Sequence, residues 1–247
     1  MKRMICLTAI AWLGLWVVQT ATAEDVAAII KKLDSNEVYA TIKSEAEFVI
    51  QFSGKRIVKR FVLYAKGDRN SFVEFTNPED AGTKFLKKDG NLFLYSPDAE
   101  EIVPITGHML KESMMGSDLS YEDTVANDTL ASLYNATLVE EPEYQGVQCW
   151  LLELVGKRKT ISYPKLRMWV DKQSYIPLKT ERYALSGALL KEELVLETAR
   201  IGGRLFPIKV EVRDRLRKDS RTVFTMIDPV LDGPIPDSVF SMRNLQR

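Results

Sequence analysis

Any Ser-His-Asp chemistry in this chain has to run through His108, the single histidine among 247 residues. Its neighbours are suggestive: Ser113, Ser117 and Asp118 follow within "HMLKESMMGSD". A serine nucleophile there would need the imidazole as base, held in place by a carboxylate. Neither serine sits in G-x-S-x-G, the strand-to-helix elbow that exposes a nucleophile. A lone loop histidine is ordinarily a polar residue and nothing more. Cys149 lies in the nearly continuous apolar run "GVQCWLLELVG", which reads as a buried thiol without the basic partner that a nucleophile wants. With one histidine and one cysteine beyond the leader, only an all-oxygen metal site is conceivable, and "DPVLDG" lacks the spacing of a calcium loop. No G-x-G-x-x-G or G-K-[ST] motif occurs. The expectation is no catalytic residue, no metal and no cofactor.

The same stretch reads better as a cover. Gly116 permits a sharp change of direction. Ser117, Asp118 and Ser120 are natural helix caps, and Ser120-x-x-Asp123 resembles a capping box with Asp in place of Glu. Met114, Met115, Leu119 and Tyr121 make the segment unusually apolar for a surface loop, and methionine adapts to irregular apolar surfaces. These residues are either a gate over an apolar cavity or a core plug.

The elements around this cover are strands. The first 23 residues read as a secretory signal peptide, with basic Lys2 and Arg3, an apolar run, and an Ala-Thr-Ala cleavage site ending at Ala23. Without Lys2 and Arg3 the mature chain carries 32 bases against 34 acids, a net charge of −2. That balance argues against a nucleic-acid partner and against polybasic attachment to anionic lipid. Residues 24–34 read as a helix with Val26, Ile29, Ile30 and Leu33 on one stripe. The period then changes to two. Over 38–52 the even positions are mainly apolar, so Ile42, Phe48, Ile50 and Phe52 should face inward.

Similar alternation continues through 57–66 and 71–76, a hairpin around Asp89-Gly90, and 101–106. A second series covers 132–140, 147–155, 165–171, 176–183, 189–201, 207–213 and 221–227. The end reads as a short helix capped by Asp237 or Ser238. About a dozen strands joined by short hairpins give an antiparallel sheet that must curl to hide its edges. No linker or fixed-period repeat divides it, so a single domain over 24–247 is expected. Val73 and Phe75, and Trp150 and Leu152 from the second series, join the candidates for a cavity wall.

Three stretches, "SMMGSDLSYED", "RMWVDKQSYIPLKTERY" and "DSVFSMRNLQR", resemble the periplasmic outer-membrane lipoprotein-sorting proteins, and within them the LolA-like branch. The resemblance spans nearly the whole mature chain. It implies a half-open, incomplete antiparallel β-barrel with helices as a lid over an apolar cavity. It also implies a periplasmic carrier that shields acyl chains of a lipoprotein, or another lipid cargo, between an inner-membrane exporter and an outer-membrane acceptor. The chain departs from those proteins in its long second strand series and its "GSDLSYED" segment, and their cavity arginine is placed on no residue here. A periplasmic adaptor or sensor that recognises a hydrophobic ligand is the alternative, and a monomer is expected. Each methylene moved out of water is worth about 0.8 kcal/mol, so one long chain is worth roughly 10 kcal/mol.

Overall fold

The computed structural model describes residues 23–36, 39–125 and 128–247. Apart from Ala23, the expected signal segment lies outside the described residues, as does position 38 of the first expected strand. Helix α1 (Ala23–Asn36) buries its predicted stripe, with Val26, Ile29, Ile30 and Leu33 each no more than 9% exposed.

Among the described residues fourteen strands follow. Six form the first series: β1 (Thr41–Phe52), β2 (Lys55–Lys66), β3 (Asn70–Phe75), β4 (Lys84–Lys88), β5 (Asn91–Ser96) and β6 (Glu101–Ile105). The second series is β7 (Tyr134–Glu140), β8 (Glu143–Tyr144), β9 (Val147–Gly156), β10 (Lys165–Asp171), β11 (Pro177–Tyr183), β12 (Leu189–Ile201), β13 (Arg204–Asp214) and β14 (Ser220–Leu231). Between the series lie two 3-10 turns and the helices α2 (Tyr121–Val125) and α3 (Leu130–Leu133); α4 (Met242–Leu245) ends the chain.

All strands join one antiparallel sheet in the order β6-β5-β4-β3-β2-β1-β14-β13-β12-β11-β10-β9-β7, with β8 paired to β9 alone. Two meanders therefore run in opposite directions and are zipped at the middle by the first and last strands, β1 and β14. The sheet is open rather than closed, with β6 and β7 at its edges. Pro104 and Glu101 in β6 are residues that blunt an edge against further pairing. Short hairpins give this topology directly: Asp89 and Gly90 both have positive φ, 51° and 83°, as a tight two-residue turn requires.

Residues directly opposite in the ladders share a face, so the inner face can be followed across the sheet. One row runs Ile42, Ala65, Ser71, Lys87, Leu92, Ile105 from β1 to β6. Another runs Ile50, Thr222, Val212, Glu193, Thr180, Met168, Leu152 from β1 to β9. The inner face thus carries two apolar basins with a polar band between them. The first is roofed by the segment between β6 and α3, the second by α1. On the outer face of β2 to β5, Tyr64, Phe72, Leu86 and Phe93 are covered by Phe240 and Leu245 of the C-terminal segment. That segment is capped by Ser241, whose Oγ accepts the Asn244 amide at 3.1 Å, and not by Asp237 or Ser238. The expected cap fails because residues 237–240 form a separate 3-10 turn first.

One inward expectation is corrected. Phe52 is 40% exposed, because it is the last residue of β1 before the Ser53-Gly54 turn, with the Arg217 guanidinium over its ring. Ile42, Ala46, Phe48 and Ile50 are buried as the alternation requires.

Candidate functional site

The first basin is not filled. A cavity of about 340 Å³ remains beneath the roof, bounded by Ile42 and Phe48 of β1, Phe61 and Leu63 of β2, Val73 of β3 and Phe85 of β4. Phe224 and Met226 of β14 close it on one side, and Met114 and Leu119 reach it from the roof. The rings behind this wall form a continuous chain: Phe48 to Phe61 at 4.9 Å, Phe61 to Phe75 at 5.2 Å, Phe75 to Phe85 at 6.1 Å, and Phe85 to Tyr121 at 5.7 Å. Such a wall presents aromatic faces and edges to the unfilled volume.

The far end of the cavity is polar, edged by Tyr39, Asp68, Asn70, Ser71 and Lys87. Burial in this wall pulls the Lys87 ammonium below the ordinary lysine range, with Asp68 acting against the shift.

The roof is a hairpin-like loop. Met114 N–H donates to Leu119 O at 2.8 Å, and Tyr121 N–H donates to Glu112 O at 3.1 Å. Met115 and Gly116 make the bend with φ of 52° and 78°. The glycine is therefore used as the sequence suggests, with the less expected help of a left-handed methionine. Ser117 and Asp118 are not caps. Ser117 Oγ donates to Met114 O at 2.7 Å, inside the loop. Asp118 is 1% exposed; its carboxylate accepts from Thr222 Oγ1 at 2.7 Å and from the Asp214 amide at 3.1 Å. Its role is to tie the roof to β13 and β14. Ser120 and Asp123 do form the capping arrangement, with Ser120 N–H donating to Asp123 Oδ2 at 2.8 Å.

Asp123 has a second role that the sequence does not reveal. On the inner face Arg182 and Lys191 stand directly opposite one another, two cations that need a counter-charge. Asp123 meets Lys191 Nζ at 2.5 Å, Glu193 meets Arg182 at 2.8 Å, and Tyr163 donates its hydroxyl to Asp123 at 2.8 Å. Burial pushes the Asp123 carboxyl up, but Lys191 and Arg182 more than offset it, and it lies below the usual aspartate range. Burial beside Asp123 pushes the Tyr163 phenol far up. The roof is thus latched to the polar band.

The twelve residues singled out in the sequence separate into groups. Ile42, Phe48, Val73, Met114 and Leu119 border the cavity. Ile50 and Phe75 are buried in the packed cluster around it, while Met115 and Tyr121 pack half-buried against that cluster. Phe52 is at the exposed strand end. Trp150 and Leu152 belong to the second basin, against α1, and do not meet the others. Alternation distinguishes inner from outer face but does not say which cover lies above. Phe61, Leu63, Phe85 and Phe224 also border the cavity, and the same period of two marks each of them, although nothing local sets them apart from other inward residues.

The Ser-His-Asp arrangement is not assembled around His108. His108 is exposed on the 3-10 turn Gly107–Lys111, and among the described residues no hydrogen bond joins it to Ser113 or Ser117. Cys149 is buried, and burial pushes its thiol up, away from the reactive thiolate. Among the described residues no cluster of His, Cys, Asp and Glu could hold a metal ion, and no helix is long and apolar enough to cross a membrane.

Solved structures share this open antiparallel fold. A DUF1329 family protein from Desulfovibrio piger superimposes with a TM-score of 0.83 at 25% identity, over 92% of this chain and 100% of that one. A domain described as outer-membrane lipoprotein-sorting, from Vibrio parahaemolyticus, gives 0.81 at 20% identity over the same shares, 92% and 100%. A LolA superfamily protein from Nitrosomonas europaea gives 0.72 at 22% identity, over 91% and 100%. A family model described as uncharacterised protein-like matches residues 67–247, and the chain belongs to that family. No curated protein matches the chain.

Proposed function

We propose that this protein is a periplasmic carrier that takes an apolar chain, from a lipoprotein or a free lipid, into the cavity under the 114–123 roof and releases it at a second membrane. The observation that carries this reading is the unfilled apolar volume of about 340 Å³ between the Phe48, Phe61 and Phe224 wall and the Met114 and Leu119 roof. A soluble protein has little reason to keep such a volume empty, since filling a void with side chains is stabilising. The fold shared with the Vibrio lipoprotein-sorting domain supports the same reading. So does the expected signal peptide, which would deliver the chain to the periplasm. An inner-membrane exporter and an outer-membrane acceptor are the partners such a carrier needs, because no nucleotide motif supplies direction from within.

The latch on Asp118 and Asp123 favours a second reading, a ligand-binding adaptor or sensor whose roof opens rarely. Native mass spectrometry of protein purified from its own periplasm tests both. A co-purified lipid or lipopeptide is expected, and a chain that is uniformly empty and takes up no added fatty acid contradicts the carrier. Transfer of bound lipid to acceptor vesicles at a rate no faster than spontaneous desorption would favour the sensor.

A further inference from the structure

The balanced net charge conceals an uneven surface. Pairing of β1 with β14 sets Gln51 opposite Arg221 and Phe52 opposite Ser220, so the β1–β2 and β13–β14 hairpins lie side by side at one end of the sheet. Residues 51–57 and 213–221 carry Lys55, Arg56, Arg213, Arg215, Arg217, Lys218 and Arg221 against Asp214 and Asp219. Glu211 takes up Arg213 and Arg221, and Glu192 takes up Arg215. Lys55, Arg56 and Lys218 are exposed and make no ion pair among the described residues. Between Arg215 and Arg217 the apex side chain is Leu216, 75% exposed.

A single projecting leucine within a ring of cations is poor material for a protein interface, which needs a broad buried patch. It suits an anionic lipid surface, where cations meet headgroup phosphates and one apolar side chain enters the interfacial layer. Arg217 links this tip to the roof. Its guanidinium donates to Ser117 O at 2.6 Å and to Gly116 O at 3.1 Å, while lying 4.7 Å over the Phe52 ring. These acceptors are neutral carbonyls, and a phosphate is a stronger, bidentate acceptor for a guanidinium. Leu119 borders both the apolar cavity and a polar pocket at this end that also touches Leu216.

We infer that the paired hairpins dock on an anionic lipid surface, and that Arg217 exchanges the roof carbonyls for lipid phosphate, loosening the roof where Leu119 separates cavity from membrane. Docking needs no cargo; release by this route rests on the carrier reading.

Co-sedimentation of the mature chain with phosphatidylglycerol-containing and pure phosphatidylcholine vesicles tests docking. Binding to the anionic vesicles alone, lost at high salt, is expected. The exposed triple variant Lys55→Gln, Arg56→Gln, Lys218→Gln should bind on the order of 100-fold more weakly, about fivefold per cation, with an unchanged melting curve. Equal binding to both vesicles, or binding indifferent to salt, overturns docking, and so does preference for poly-glutamate over anionic vesicles, which would assign the tip to an acidic protein. A preloaded fluorescent fatty acid tests release: anionic vesicles should speed its loss from the wild type, and Arg217→Gln should lose it fast without vesicles. Loading that succeeds with release indifferent to vesicles and to Arg217 overturns the coupling, whereas failure to load at all counts against the carrier and leaves the vesicle result standing.

Discussion

Over β9 and β10 the inner face is finished. Ile29, Ile30 and Leu33 of α1 lie on Leu152, Leu154, Leu166, Met168 and Val170, all buried. Over β1 to β5 the roof stops short of the sheet and leaves a void beside Phe48, Phe61 and Phe224. The covers differ in kind. The first is a 14-residue helix with one continuous stripe, which presents a ridge that a sheet can accept. The second is a looped segment of short turns, able to touch the sheet at Met114, Leu119 and Tyr121 without filling it. Equal apolar faces thus become a core in one half and an unfilled volume in the other, according to what lies above them.

The largest effect should come from the finished half. Leu152→Ala removes a side chain with no exposure from a packed cluster, and a loss of about 3–5 kcal/mol in denaturant melts is expected, with fatty-acid affinity unchanged. A loss below about 1 kcal/mol would mean that this half is as loose as the other.

Between the halves, Asp123→Ala strands Lys191 opposite Arg182 and should cost about 3 kcal/mol. Faster hydrogen exchange over 114–123 should accompany it. The sign of the pH effect follows from the depressed carboxyl: its contribution is complete above the ordinary aspartate value near 4 and is lost as pH falls through the lower folded value. The roof should therefore loosen below about pH 4 and stay latched at neutral pH, as exchange or ligand off-rates measured against pH will show.

In the unfinished half, Phe224→Ala enlarges a void that already exists. A cost of about 1–2 kcal/mol, less than for a sealed core ring, should come with at least a tenfold weaker fatty-acid affinity. The reverse pattern, a large stability loss without a binding change, would make the cavity an ordinary packing defect. Smallest of all, His108→Ala on the exposed turn should shift stability by under about 0.5 kcal/mol and leave ligand uptake intact.

Much of this architecture is legible in the chain. The period-two runs locate the strands, the α1 stripe is buried as read, and Asp89-Gly90 turns where its φ preferences demand. The covers are harder to read, because they depend on residues far apart in sequence. Asp118 looks like a cap until Thr222, 104 positions on, is seen to hold it. Asp123 shows its local partner Ser120 but not Lys191. Trp150 and Leu152 alternate as well as Val73 and Phe75 do, and nothing in the pattern says that α1 covers the first pair. Phe52 continues its strand's alternation to the last residue, where the sheet has no cover left to offer. Local rules specify faces; only the fold specifies what each face meets.

The central claim is that the space beside Phe48 and Phe224 is a binding volume, and filling it is the direct test. Leu63 borders that space and is only half-buried, so Leu63→Trp can place its ring there without displacing the packed cluster. Titration of the variant and the wild type with a fluorescent fatty acid should show binding abolished in the variant while its melting temperature is kept or raised. Undiminished affinity in a folded Leu63→Trp protein would show that cargo, if any, binds elsewhere.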